Sequence, residues 1–206
     1  MENNFLLSSR KQFEYYKMLG ERTFVQLNEE DFFWRYNTES NSIAIIVEHL
    51  WGNMLSRWTD FLTTDGEKEW RRREAEFDSA NKDASVMLKK WEEGWSCTFT
   101  ALESINMDNF STPVFIRNQE HTIVEAINRQ LGHYTYHIGQ IVYIGRMLKG
   151  KEWKSLSIPR GKTKEYNKMK FSRPPARDHF TTEFLDGYFY EEKECYYIKL
   201  NTFYLD

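Results

Sequence analysis

Cysteine, proline and long apolar runs are all scarce in this chain, and each scarcity excludes something. Only two cysteines occur, Cys97 and Cys195, with no CxxC between or around them. They make no disulfide framework, which suits a reducing compartment. The longest apolar runs, such as "SIAIIV", fall far short of the roughly 20 residues that a membrane helix needs. The opening "MENNFLLSSRKQF" has no apolar core followed by a cleavage site, so no secretory signal is expected. Basic residues are not in excess either: the net charge is −3, which argues against a general nucleic-acid binder, and no DNA-binding motif is recognisable. The expectation is a soluble, cytoplasmic protein with no membrane and no nucleic-acid partner.

Core-forming material, in contrast, is plentiful. Aromatic residues make up 17% of 206 positions and charged residues 29%, enough for one domain with a sizeable core. Four long segments carry helical spacing. The first runs from about Glu2 to Leu27 with Phe5, Phe13, Tyr16 and Leu19 as its stripe. "NEEDFFWRYNTESN" follows, a polar connection with room for a short helical turn. Asn41 or Ser42 can cap the second helix, whose Ile43, Val47, Leu50, Met54, Trp58 and Phe61 recur every three or four positions. Gly66 in "TTDGEKEW" turns the chain. A third helix is expected from about Asp83 to Ile105, carrying Val86, Leu88, Trp91, Trp95, Phe99 and Leu102. "NMDNFSTPVFIRNQEHT" has room for a short extended segment. Thr122 and Glu125 then form a capping box, opening a fourth helix that Gly150 can end. That helix is apolar on nearly every side and reads as the middle of a bundle.

The balance changes after it. Between Lys149 and Arg177 ten Lys/Arg face only Glu152 and Glu165, a local excess of +8 that leaves −11 elsewhere. Pro159, Gly161, Pro174 and Pro175 mark this part as irregular. Residues 1–150 therefore read as the helical domain. Residues 151–206 read as a basic arm and aromatic tail, either packed on that domain or partly disordered. The arm is a solvated surface or, as the alternative, a patch for an anionic partner. "EKEWRRREAEF", mixed in sign, reads as a salt-bridged solvated surface.

Histidine is the informative residue type. His133 and His137 in "GHYTYHIGQ" are four apart, so on a helix both imidazoles leave one face roughly 6 Å apart. Two neutral imidazoles at that spacing can share a metal ion, which needs further ligands. Twelve positions put His121 roughly 18 Å from His133 along a helix, too far to join, and His179 lies in the tail. His49 remains, in the middle of the second helix and followed at helical spacing by Asn53 and Arg57. Taken alone, His49 equally fits a hydrogen-bonded core residue, and the pair equally fits two interfacial side chains. Tyr134 follows His133 where a zinc protease has its glutamate, so protease chemistry is not expected.

One histidine in the second helix with an H-x-x-x-H pair in the fourth resembles the DinB/YfiT-like superfamily of metal-dependent proteins. The likeness is greatest to its DUF1572 branch, through "NSIAIIVEHLWGNMLSRWTDFLTTDGEKEWR" and "INRQLGHYTYHIGQIVYIGRMLKGKEWKSLSIPRGK", and spans roughly residues 5–165. The resemblance implies an all-α, antiparallel four-helix bundle, a divalent metal on His49, His133 and His137, and often a homodimer. Its characterised members include transferases and isomerases using small thiols such as bacillithiol, mycothiol or glutathione.

Three neutral histidines would leave a coordination position open, which catalytic zinc sites keep and structural ones close. A bound thiol or water would lose its proton more readily there. Three imidazoles suit zinc, nickel, iron or copper, with zinc or nickel the expectation. Asn53, Arg57, Arg129 and Gln140 are the candidates for holding a small-molecule substrate, each with ordinary helix packing as the alternative. Cys97 reads as a small buried residue. Two functions follow: a metal-dependent, thiol-using transferase or hydrolase, or a non-catalytic dimeric bundle whose ion is structural or sensory.

Overall fold

Three of the four long helices start where a side chain satisfies a free backbone N–H. In this computed structural model, which describes residues 2–78, 83–179 and 181–182, α1 spans Glu2–Phe24 and α2 spans Ile43–Trp58. Ser42 rather than Asn41 caps α2, its hydroxyl accepting from the Ile45 N–H. Asp83 accepts from Ser85 and Val86 to open α3, Ala84–Glu103. Thr122 and Glu125 make the expected reciprocal box at the start of α4, Ile123–Lys149. Gly150, with φ of 52°, ends it in a conformation that a Cβ would strain. A short 3-10 helix, Glu29–Phe33, occupies the polar connection after α1.

The extended segment before α4 is a hairpin of β1, Val114–Ile116, and β2, Gln119–His121, paired antiparallel. Its turn residues Arg117 and Asn118 both have positive φ, as a two-residue hairpin loop requires. Asp65 fastens this turn to the α2–α3 connection by accepting from the Arg117 and Asn118 N–H groups at 2.8 and 2.6 Å.

The core is centred where one aromatic from each of four helices meets. The Phe13 ring lies 6.5 Å from Trp58, 6.3 Å from Trp95 and 5.7 Å from Tyr134. All four are buried, and each such side chain contributes about 1.5–3 kcal/mol of burial. The Trp58 Nε1–H donates to the Tyr134 hydroxyl at 3.0 Å, so each of these two buried rings pairs its polar group with the other's.

Helix directions follow from which residues meet. Along α2 and α3, Glu48 pairs with Lys90, Met54 lies on Gly94 and Thr59 meets Cys97, so the two run parallel. Along α1 and α4, Phe13 meets Tyr134 and Thr23 meets Gly145, again parallel. Antiparallel contacts join α1 to α3, through Arg10–Glu103 and Lys17–Glu92, and α2 to α4. The expectation of a simply antiparallel arrangement is thus corrected for two pairs. Consecutive parallel helices need a connection that travels back along a helix, and residues 59–78 run back along α2, with Gly66 on Ser56 and Glu76 on His49.

Two further expectations change. Only one face of α4 is buried, through Ile123, Ile127, Gln130, Tyr134, Ile138 and Ile141, whereas Tyr136 and Tyr143 are more than 60% exposed. Apolar composition therefore overstated the burial of α4, because tyrosines can carry their hydroxyls in water. The basic arm, expected as irregular, contains α5, Thr163–Phe171, with no buried residue. Its prolines lie only outside that helix, where they break nothing.

Packing also continues past Gly150. Lys154 exchanges two hydrogen bonds with the Gln26 side chain, and Leu156 is buried. Further on, His179 bonds Ser8 and Thr181 is fully buried against α1. Among the described residues no helix is long and apolar enough to cross a membrane. Of the arm and aromatic tail expected over 151–206, residues 183–206, with Cys195, lie outside the described residues.

Candidate metal centre

Antiparallel packing of α2 against α4 sets His49 opposite the H-x-x-x-H pair. His49 Nε2 is 3.2 Å from His133 Nε2, and His137 Nε2 is 3.1 Å from the same atom. All three ligand atoms lie within 4.8 Å of one another. Two nitrogens on one tetrahedral zinc would stand about 3.3 Å apart, given bonds of about 2 Å. The spacing therefore fits a shared ion, and the three histidines could hold one. Without an ion, a single Nε2–H on His133 can bridge only one neighbour and leaves lone pairs opposed at the other.

Ring orientation is set from behind. The Nδ1 of His49 lies 2.8 Å from Glu76 Oε2, and that of His137 lies 2.9 Å from Gln140 Oε1. When each Nδ1 carries the proton, each Nε2 turns its lone pair to the cluster; such outer partners are usual behind metal-binding histidines. Protons compete weakly here. Burial, with the charges His137 and His49 would carry, pushes His133 down to about 3. Burial likewise lowers His137. Both are therefore neutral near pH 7, the form a metal needs. Phe77 packs on His49 at 5.2 Å and Tyr136 on His137 at 4.9 Å. His49 is 6% exposed, while His133 and His137 on α4 are half-buried and so the more accessible of the three.

Glu76 and Arg71 are the residues that sequence reasoning missed. Instead of a solvated surface, "EKEWRRREAEF" places an Arg71 side chain 2% exposed on a Glu76 side chain 6% exposed. Arg71 Nε donates to Oε1 at 2.8 Å and Nη2 to Oε2 at 3.0 Å. Burial alone would raise the Glu76 carboxyl, but the hydrogen bonds from His49 and Arg71 outweigh it and hold it below the usual range. Residues 69–70 and 72–75 of the segment do behave as surface, with Arg73 on Glu74 in solvent. A signal was present: Gly52 sits inside α2, three residues after His49, where glycine costs about 1 kcal/mol against alanine. A Cβ there would strike the Glu76 carboxylate.

The four substrate-binding candidates separate. Gln140 is at the site, behind His137. Asn53 is buried one turn beyond His49, with Oδ1 unpartnered among the described residues. Arg57 is buried but committed to the Gly66 carbonyl and the Glu67 carboxylate. Burial lowers its pKa against the pull of Glu67. Arg129 is exposed and donates to His121. Cys97 is half-buried, and burial raises its thiol, which does not suit a nucleophile.

A family model for DUF1572, described as a protein of unknown function, matches residues 1–162. The chain belongs to the DUF1572 family. No curated protein and no solved structure matches it. The DUF1572 match contains all three histidines and both Arg71 and Glu76, and ends before α5.

Proposed function

We propose that this DUF1572 chain is a DinB/YfiT-like four-helix-bundle metalloprotein acting on a small molecule, with a low-molecular-weight thiol as cosubstrate. The observation that carries the proposal is the convergence of three Nε2 atoms from α2 and α4, two of them on side chains that are only half-buried. Three ligands with solvent access are the pattern of catalytic rather than closed structural zinc sites. A bound zinc or nickel ion would supply Lewis acidity, favouring the deprotonated form of a thiol or water. Glu76 and Gln140 hold two of the rings; Asn53 Oδ1 offers a hydrogen bond to a donor on the substrate. Arg57 spends its outer nitrogens on Glu67, so it neutralises that carboxylate rather than a substrate anion. The thiol and a homodimer come from the sequence likeness, and a cytoplasmic setting from the scarcity of cysteine.

The test is elemental analysis of the purified protein, followed by cobalt substitution. Bacillithiol and glutathione are then added with a general electrophile. A divalent ion near one per chain, a cobalt spectrum perturbed by thiol, and metal-dependent turnover support the proposal. A bound ion whose spectrum no thiol changes, with no turnover, supports a structural or sensory ion instead.

A further inference from the structure

The proton position on His49 is dictated from two side chains away. Arg71 is a permanent cation whose planar fork takes both oxygens of Glu76. A carboxylate held in this way is ionised and can only accept hydrogen bonds. The 2.8 Å contact from Glu76 Oε2 to His49 Nδ1 therefore places a proton on Nδ1. With the single ring proton on Nδ1, the lone pair is on Nε2, the atom facing His133. Gln140 gives His137 no such certainty, since an amide can turn either its oxygen or its nitrogen to the ring.

We infer that Arg71 and Glu76 are positioning residues of the metal site, with Glu76 selecting the metal-binding tautomer of His49 and Gly52 providing the space for it. The inference rests on the proposed metal role of the three histidines. Three independent observations support it. The three side chains of the relay are nearly inaccessible, so water does not compete for these bonds. Glu76 accepts from both Arg71 and His49 at once, whereas surface pairs nearby, such as Arg73 with Glu74, stay solvated. The helix also has a glycine at position 52, where any side chain would collide with the carboxylate. The negative charge lies on the far side of His49 from the cluster, so it makes the ring a better donor without occupying a ligand position.

The experiment uses the full chain as wild type, Glu76→Gln and Gly52→Ala. Nitrogen-15 NMR of metal-free protein reads which nitrogen of His49 is protonated, and cobalt titration reads affinity. The wild type should show the Nδ1–H form. Both variants should lose that preference and bind cobalt about 10–100-fold more weakly, with a shifted absorption spectrum. An Nε2–H tautomer in the metal-free wild type overturns the inference even if neither variant folds. So does a folded Glu76→Gln protein with wild-type tautomer and affinity. If the wild type binds no cobalt at all, the metal reading fails, while the NMR result still decides what Glu76 does to His49.

Discussion

Gly52 and Glu76 approach so closely that any Cβ on residue 52 would come within 3.0 Å of the carboxylate. A helix thereby gives up a better helix former so that a residue from a distant connection can reach His49. Gly52→Ala should destabilise the protein by about 1–3 kcal/mol, the usual cost of overpacking, even though alanine has the higher helix propensity. Thermal and urea unfolding check this; a more stable variant would show that Glu76 moves aside freely.

Removing a ligand should affect the metal more than the fold. His133→Ala deletes the nitrogen that stands between the other two. It also removes a group whose protonation burial opposes. The metal-free variant should unfold close to the wild type, but should lose the stabilisation that added zinc gives. That stabilisation is about 4 kcal/mol at a thousandfold excess over Kd. Paired melts with and without zinc measure it. His137→Ala should behave alike.

The core pair beside the site has its own test. Tyr134→Phe leaves the buried Trp58 Nε1–H without its acceptor. The loss should be about 1–3 kcal/mol in denaturant unfolding, with zinc content unchanged because His133 and His137 stay in place.

Acid should loosen the hairpin clasp. Slight burial opposes ionisation of Asp65, but N–H bonds from Asn118, Glu67 and Arg117 outweigh it and lower the carboxyl's pKa. A folded value below the unfolded one means the contribution is complete above the ordinary carboxylate pKa of about 3.9. It is lost as pH falls below that, through the folded value. Asp65→Asn should thus be less stable than wild type at pH 7, with the gap closing towards pH 2. Melting curves across that range would show it, and a gap independent of pH would refute it.

Truncation asks how much the arm matters. Ending the chain at residue 177 removes His179 and Thr181 from α1 but keeps Trp153 and Leu156 in place. Cooperative unfolding and zinc binding should both survive, as circular dichroism and metal analysis would report. Ending it at 150 should cost more, because Leu156 is buried and Trp153 packs against Gly145.

By itself the sequence determined what acts within a few residues. Ser42, Asp83, Thr122 with Glu125, and Gly150 mark helix ends because caps bond the nearest free backbone groups. His133 and His137 face together because four residues make about one turn, whereas elimination leaves His49 only as a candidate and the family resemblance names it as their partner. Tertiary structure alone decided that α2 and α3 run parallel, and with it the path of residues 59–78 back along α2. That path buries Arg71 and Glu76 beside His49, although their neighbours read as a charged surface. It also let Tyr136 and Tyr143 point outward from a helix apolar enough to be central. Local hydrogen bonding and periodicity are blind to these outcomes, because the direction in which two helices pack depends on contacts between residues tens of positions apart.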